Sequence, residues 1–455
     1  MNVQRIAVIG AGPCGLGIAK YLIAEKYFQT ITLFEQRDQP GGVWNYTGDL
    51  GLETGSPTAH ASPSSTPQER VNGQFVSPVY DSLETNIPKT LMNFNDLAFP
   101  EETPLFPPHD VVQKYLHRYA EDLTPYIRYQ SLVVNVSRSP KEWTVQWRDL
   151  KNEQIHAAPF DAVIVANGHH NDPKIPAIPG LAEWNRAYPD SILHSSSYRR
   201  PESFANKKVI IVGHSASGID IGFQISSVSQ HPLLISEPLP EIRRFDPQNA
   251  RVEFINGHEE FGVDHVVFCT GYHFSIPFLS SLQPPRNHRR NPSSPSLSAH
   301  ILHSGSHASV HRVSAADCPV PVEPGARGVG CARVFGASGS SIAGRDGKVD
   351  SRVDGGPGDG QGFNTLPFPL DADYISYLYG LCQDAGKRDG LENGGNGKAP
   401  PYWGEKERWT RERFPLIKKA SQALGSRRGE ITSLEQLGFN FEEEKKKGEG
   451  GESHL

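Results

Sequence analysis

The sequence predicts an α/β protein with two Rossmann-like dinucleotide-binding domains, and three observations carry the prediction. A glycine-rich turn stands between an apolar run and a helical stretch near the start, a second such turn stands near the middle, and two later apolar strands each close on a glycine. Strands alternating with helices in this way favour parallel sheets.

The first element is the apolar run of Ile6, Val8 and Ile9, a strand by its pattern, which ends in the turn Gly10-Ala11-Gly12-Pro13-Cys14-Gly15. A helix follows, because Leu16, Ile18, Ala19, Leu22 and Ile23 recur at helical spacing, and residues 31–34 give a second strand ending on Glu35. The order fits a dinucleotide site: Gly10 allows the tight turn, Gly12 lets backbone approach a pyrophosphate, and Gly15 lets helix pack on strand. The N–H groups opening the helix would hold the phosphates, and Glu35 stands where a carboxylate takes a ribose hydroxyl. The other reading is an ordinary βαβ unit without a cofactor.

A chain of 455 residues has room for two or more domains, while a hydrophobic share of 37% and a mean hydropathy of −0.47 leave part of it unpacked. The net charge of −6 gives no electrostatic reason to expect nucleic acid, and no apolar run is long enough to span a membrane. The first strand begins almost at the N-terminus, which leaves no room for a leader and points to the cytoplasm. Cys14, Cys269, Cys318, Cys331 and Cys382 are an odd set without a CxxC pair, which argues against a disulfide scaffold, a zinc site or a redox dithiol.

After Glu35 comes Gln39-Pro40-Gly41-Gly42-Val43-Trp44-Asn45. Two glycines permit close backbone approach there, and Trp44 either offers a face to an isoalloxazine ring or packs in a structural turn. Residues 55–73, rich in Ser, Thr, Pro and Ala, read as a surface loop. Then stands Tyr80-Asp81-Ser82-Leu83-Glu84-Thr85-Asn86-Ile87-Pro88-Lys89-Thr90-Leu91-Met92-Asn93-Phe94. With the opening turn and the GGVWN segment, this block resembles the flavin-containing monooxygenases, especially the fungal-type members, which carry a similar YxSLxTNxPKxxMxF sequence. The resemblance implies that Asn86, between Thr85 and Ile87, lies over the flavin and supports its oxygenated form; a carboxamide can donate to one oxygen and accept from a second partner. The plain reading is a turn asparagine ahead of Pro88.

Further on, Asp110 is placed to cap a helix with the apolar stripe Val111, Val112, Tyr115, Leu116 and Tyr119. Residues 127–136 and 142–148 alternate as antiparallel strands with Trp143, Val145 and Trp147 on one face. A buried strand closes on Gly168, and Pro173, Pro176 and Pro179 are spaced as in a stiff linker. The second fingerprint is a strand over 208–212, the turn Gly213-His214-Ser215-Ala216-Ser217-Gly218 and a helix from Ile219. Ser215 replaces the middle glycine, and its hydroxyl can itself bond a phosphate. Two dinucleotide folds imply two dinucleotides, FAD on the first and a nicotinamide cofactor on the second.

Just before that turn, Tyr188, Asp190, His194 and Tyr198 resemble the family's FxGxxxHxxxY sequence, with Asp190 in the glycine position, where a positive φ is tolerated by Asp at some cost. His194 reads either as organising a domain junction beside the cofactor or as an ordinary surface histidine. The resemblance implies NADPH, with Arg199, Arg200, Arg243 and Arg244 as candidate partners of its 2′-phosphate, whereas Glu237 is placed as a ribose ligand of NADH would be. A strand over 264–271 repeats the closure on glycine, and the match holds through Phe278.

Residues 286–360 differ in character: rich in Ser, Gly, Arg, Pro and His, with Phe335 as the one aromatic and Lys348 as the one lysine, they predict disorder. Bounded by sensible sequence on both sides, they read as the product of a shifted reading frame or unspliced message. Helices are expected over 374–382 and 403–424, then a polar, disordered tail over 440–455.

The resemblance implies three-layer ββα folds, with an NADP domain (171–261) inserted into a FAD domain (1–170, returning over 262–285 and 361–430). It implies that NADPH reduces FAD, that dioxygen adds as a C4a-hydroperoxide, and that an oxygen passes to a nitrogen or sulfur nucleophile of a small molecule, as in N,N-dimethylaniline-type monooxygenases. The rivals are a Baeyer-Villiger enzyme, against which Tyr198 in place of Trp counts, a disulfide reductase, which lacks its CxxC here, and a catalytically silent product of an aberrant gene. Substrate and oligomeric state have no local signature.

Overall fold

The computed structural model describes residues 3–48, 70–71, 74–231, 233–235, 241–282, 300–301, 311–312, 367–384 and 386–451. The chain divides into two units: residues 1–42, 84–168 and 281–455 form one, and residues 43–83 and 169–280 form the other.

In the first unit, β1 (Arg5–Ile9) pairs in parallel with β2 (Thr30–Phe34), and α1 (Pro13–Ala24) joins them, started by a proline at its first position, where no N–H is missed. The helix α2 (His109–Tyr119) has Pro108 as its N-cap, so Asp110 falls in the first turn and pairs with Lys114 at 2.9 Å instead of capping. The run expected as one strand over 127–136 is divided: Gln130 takes φ +51, which leaves β3 (Ile127–Arg128) beside β2 and sends β4 (Ser131–Arg138) into an antiparallel sheet with β5 (Trp143–Asp149) and β6 (Ile155–Phe160). With β7 (Ala162–Val165) the parallel sheet has the order β3-β2-β1-β7. Strand alternation gives each face its own partner. Ile6, Val8, Ile31 and Leu33 pack with Leu16, Ala19 and Leu22 of α1. Phe34 meets Trp147 and Phe160 of the antiparallel sheet, with ring centroids 4.9 and 6.0 Å away. Helix, parallel sheet and antiparallel sheet make the three expected layers.

The second unit repeats the plan. After α3 (Leu181–Ala187) come β8 (Ile192–His194), β9 (Val209–Val212), α4 (Ala216–Ser226), β10 (Leu234–Ile235), the antiparallel strands β11 (Ile242–Asp246), β12 (Arg251–Phe254) and β13 (Glu259–Phe261), and β14 (His265–Phe268). The parallel order is β8-β14-β9-β10. Val209, Ile211 and Val267 pack with Ile221 and Ile225 of α4, whereas Ile210, Val266 and Phe268 pack with Phe245, Val252 and Phe254 of the antiparallel strands. The proline-rich stretch expected as a linker is pinned: Lys174 N–H donates to Gly271 O at 2.9 Å, the Thr270 hydroxyl donates to Lys174 O, and Ile175 is buried in the core.

Beyond residue 366 the chain belongs to the first unit again, through α5 (Leu370–Gln383), α6 (Glu405–Gln422) and α7 (Phe441–Gly451). Tyr21 Oη and Asn95 Nδ2 both donate to Ala399 O at 3.1 Å, and Lys398 pairs with Asp96 at 2.5 Å. Leu105 and Phe106 share a cluster with Ile417 and Leu434. The expected disordered tail is corrected over 441–451: it is helical, and Lys445 pairs with Glu405 at 2.6 Å while Trp409 Nε1 donates to Glu444 at 2.9 Å. Apart from His300–Ile301 and His311–Arg312, which pair as short antiparallel strands, the stretch 286–360 lies outside the described residues, as does most of 55–73.

Candidate functional site

The first glycine-rich turn is fixed by contact with backbone on every side. Gly10 has φ +104, and a Cβ there would lie 2.5 Å from Ala166 O; a Cβ on Gly15 would lie 1.9 Å from Gly10 O. Gly42 closes on the same turn, since its Cβ would stand 3.0 Å from Gly12 Cα, and Gly41 N–H donates to Ala11 O at 2.9 Å. Gly12 is the N-cap of α1 and provides no side chain to cover the N–H groups that follow Pro13, those of Cys14 and Gly15. Beneath the turn Glu35 is 4% exposed and accepts from Ala11 N–H at 2.8 Å and Arg37 N–H at 2.9 Å. Burial raises its carboxyl pKa, against the lowering pull of those N–H groups. Each carboxylate oxygen keeps a lone pair beyond these bonds, which is what a ribose hydroxyl requires. Arg37, buried beside Glu35, was not legible from the sequence.

The structure divides the GGVWN segment. Gly42 belongs to the first unit, while Val43 and Trp44, half-buried in the 3-10 turn Gly42–Trp44, belong to the second.

In the first unit the asparagine block forms a loop held at both ends. Thr85 N–H donates to Pro107 O at 3.0 Å and Lys89 N–H to Leu105 O at 2.8 Å. Thr85 Oγ1 donates to Ile87 O at 3.0 Å, across Asn86. Lys89 is buried, and its ammonium donates to the carbonyls of Pro100, Glu101 and Thr103 at 3.2, 2.8 and 2.6 Å. Asn86 Oδ1, at the tip, is buried without a hydrogen-bond partner. A buried acceptor left unpaired costs about 1–3 kcal/mol, so its place in a braced loop marks a position that awaits a donor.

In the second unit Gly213 (φ +105) and Gly218 repeat the geometry of Gly10 and Gly15: their Cβ atoms would lie 2.6 Å from Cys269 O and 1.9 Å from Gly213 O. Ser215 is the N-cap of α4 but makes no side-chain capping bond, and both Ser215 and Ser217 are exposed. His194 pairs in register with Phe268, which on its other side pairs with Val212 just before the turn. This places His194 at the carboxyl ends of the parallel strands, where open α/β sheets bind ligands.

His194 is 2% exposed, not a surface residue. Nδ1 lies 3.1 Å from Ser196 N–H and Nε2 lies 3.0 Å from Gly271 O, which assigns the neutral tautomer protonated on Nε2. Burial lowers its pKa from 6.5 to about 4. The unfolded chain therefore binds the proton first, so the stability due to neutral His194 is complete above pH 6.5 and is lost as pH falls toward 4. Unfolding by urea should show about 2 kcal/mol less stability at pH 5 than at pH 7 from this group, a slope that His194→Gln removes. An unaltered slope in the variant would contradict the assignment.

Asp190 has φ +64, as its glycine position requires, and its carbonyl meets His265 Nδ1 at 3.3 Å, a contact glycine keeps. Asp190→Gly should raise stability by about 0.5–1 kcal/mol, the left-handed strain exceeding the entropy that glycine adds to the unfolded chain. A lowered melting temperature would refute this.

Of the arginines, Arg199 is 8% exposed and donates to Gly48 O, Ser196 O, Tyr198 O and Ser77 O at 2.8–3.0 Å, so the donors that a 2′-phosphate needs are committed to carbonyls. Arg200, half-exposed, pairs with Asp81 at 3.1 Å, while Arg243 and Arg244 pair with Glu253 at 3.0 and 2.7 Å. Glu237 lies outside the described residues. Among the described residues there is no metal-type cluster of His, Cys, Asp and Glu, no helix long and apolar enough to cross a membrane, and no disulfide at Cys14, Cys269 or Cys382. Burial pushes the Cys269 thiol up to about 12.

Two glycine turns of this geometry, each opening a helix from a parallel sheet, define a protein of the two-dinucleotide-fold class. The flavin-binding monooxygenase-like family model matches residues 67–238, and a model of NAD(P)-binding Rossmann-like domains matches residues 8–72. The chain is 29% identical over 352 residues to the flavin-containing monooxygenase ustF2 of Aspergillus flavus, a match covering 61% of this chain and 69% of that one. It is 31% identical to the trimethylamine monooxygenase of Pelagibacter ubique, over 61% and 63% of the two chains. The solved S-allyl-L-cysteine S-oxygenase of Allium sativum is 30% identical, with a TM-score of 0.50 over 61% of this chain and 65% of that one. Over residues 67–238 and across about 61% of its length, the chain is similar to flavin-containing monooxygenases. It spans about two-thirds of the length of these relatives.

A flavin-binding monooxygenase-like model and an NAD(P)-binding model on one chain support FAD and NADPH as its cofactors. The residues fit them: a seated carboxylate under a helix start without a side-chain cap, two turns in which a Cβ at Gly10, Gly15, Gly213 or Gly218 would strike backbone, and an orphaned carboxamide oxygen.

Proposed function

We propose that this chain is a flavin-dependent monooxygenase that uses NADPH and dioxygen to oxygenate a nitrogen or sulfur nucleophile of a small molecule. The single observation that carries the reading is Asn86, whose Oδ1 is buried and unpartnered on a loop braced at both ends. Bound flavin supplies hydride acceptance and oxygen activation, which no side chain provides. The chain's own residues bind and orient. Gly10, Ala11, Gly12, Pro13, Cys14 and Gly15 form the FAD pyrophosphate turn, Glu35 accepts from the ribose, Gly42 keeps that turn narrow, and Val43 and Trp44 give a flat apolar surface. Thr85 and Ile87 hold Asn86, whose carboxamide would meet the bound flavin group, with Nδ2 as donor and the unpaired Oδ1 as acceptor. In the second unit Gly213, Ser215, Ser217 and Gly218 take the NADPH pyrophosphate. Arg200 replaces Arg199 as the partner of the 2′-phosphate, because Arg199 is buried with its donors on carbonyls while Arg200 is half-exposed and free to turn from Asp81 to a ligand. Neutral His194 supports the strand ends beside that turn.

The substrate class rests on the relatives, one named for trimethylamine and another for an S-allyl thioether. Purified chain with NADPH and oxygen should convert N,N-dimethylaniline or a dialkyl thioether to the N-oxide or sulfoxide. Ester formation from a ketone, with neither of those products, would replace this reading by the Baeyer-Villiger one.

A further inference from the structure

Glu84, the residue two before Asn86, is gripped by two cations from the far end of the chain. Lys418 of α6 lies 3.3 Å from its Oε2, and Arg428 Nε donates to its Oε1 at 2.7 Å. Lys418 Nζ also donates to Thr85 O at 2.8 Å, the carbonyl of the peptide that leads into Asn86, and sits 4.4 Å above the Phe106 ring. The strand of contact continues at Leu105, whose N–H donates to Ile431 O at 2.7 Å, and Leu105 O in turn receives Lys89 N–H. The bonds that tie Glu84 and Thr85 to other segments thus come from residues 105–108 and from the segment 418–431 that packs on them.

We propose that Lys418 and Arg428 are positioning residues for Asn86, so that the C-terminal segment sets the place of the side chain on which oxygen transfer depends; this rests on the function proposed above. The side chains of Lys418, Arg428 and Glu84 are 14%, 27% and 21% exposed. Ion pairs in such partly wet surroundings alter global stability little, because desolvation offsets much of the attraction. Their effect is directional: charge-assisted bonds fix a carboxylate and the adjacent carbonyl in one geometry, and a shift of about 1 Å in a group that must meet a reacting atom lowers rate by about 100-fold. Asn86 makes no Oδ1 bond of its own, so its position is inherited from the loop.

The test uses the full chain with Lys418→Met, Arg428→Met and the conservative Lys418→Arg. Methionine keeps the apolar stem over Phe106 and removes the charge. Amide hydrogen exchange at Thr85 and Lys89, whose N–H groups carry the loop's backbone bonds, should quicken by roughly tenfold in the methionine variants, local opening being the event these bonds resist. Flavin content should stay at the wild-type ratio, while the hydrogen peroxide released per NADPH rises. Lys418→Arg should restore both exchange and coupling, a rescue that mere loss of folding would not give. If a methionine variant fails to fold, Glu84→Gln, which removes the shared anion at constant size, should give the same exchange signature. Unchanged exchange, or quickened exchange with wild-type coupling, overturns the proposal. A wild-type chain that consumes no NADPH overturns the proposed function instead, and the exchange arm then decides alone whether the clamp holds the loop.

Discussion

Asn86→Ala is expected to separate stability from activity. The variant should bind flavin and oxidise NADPH, yet form product about 100-fold more slowly than the wild type, with the reducing equivalents leaving as hydrogen peroxide. The size follows from losing one preorganised donor at the reacting oxygen, which is worth about 3 kcal/mol in a water-excluded site. Stability should move the other way. The wild-type Oδ1 is buried and unpaired, and alanine removes that penalty, so the flavin-free variant should melt at the same temperature or higher. A structural turn asparagine predicts the reverse pattern, with lowered melting and intact coupling. The ratio of peroxide to product, measured with the melting curve of the same preparation, decides between them.

The second large effect compares Gly15→Ala with Gly218→Ala. Each new methyl would stand 1.9 Å from a backbone carbonyl oxygen, of Gly10 in one turn and Gly213 in the other. Alanine gains about 1 kcal/mol over glycine in helix propensity, but relieving that overlap moves helix away from turn at a cost that exceeds the gain. The geometry is equivalent, and the consequences should differ. Gly15→Ala should yield a colourless protein, because the turn that faces FAD is displaced. Gly218→Ala should stay yellow and show a KM for NADPH at least about tenfold higher. The opposite pattern, with flavin lost from Gly218→Ala and kept by Gly15→Ala, would reverse the assignment of cofactors to folds.

These glycines were legible because their constraint is local: a strand, a reversal and a helix start leave no room for a Cβ, whatever the rest of the chain does. The same holds for Asp190, whose positive φ follows from its place in the histidine-containing motif. The three-layer plan was implied by the family resemblance, and both units keep it, each parallel sheet packing a helix on one face and antiparallel strands on the other.

What sequence could not show is long-range or depends on which donors remain. Glu84 and its cations are 334 and 344 residues apart, and Lys418 and Arg428 read only as charges on or near a solvated helix. Arg199 looked like a phosphate ligand because its charge is visible in the sequence and its four carbonyl partners are not. The strand break at Gln130 and the displaced cap at Pro108 are one-residue decisions of backbone that periodicity does not resolve. The helical tail turned on pairing with α6, a tertiary contact that composition alone cannot foresee.

The residues that brace Asn86 lie on both sides of the unusual stretch 286–360, so the flavoprotein account requires the chain to close properly across it. The most direct measurement is the absorption spectrum of the purified full-length chain before and after NADPH is added without oxygen. A yellow protein with flavin bands that bleach on NADPH and return with air is the predicted result. A colourless or insoluble protein that gains no flavin from added FAD would contradict the account and favour the catalytically silent product.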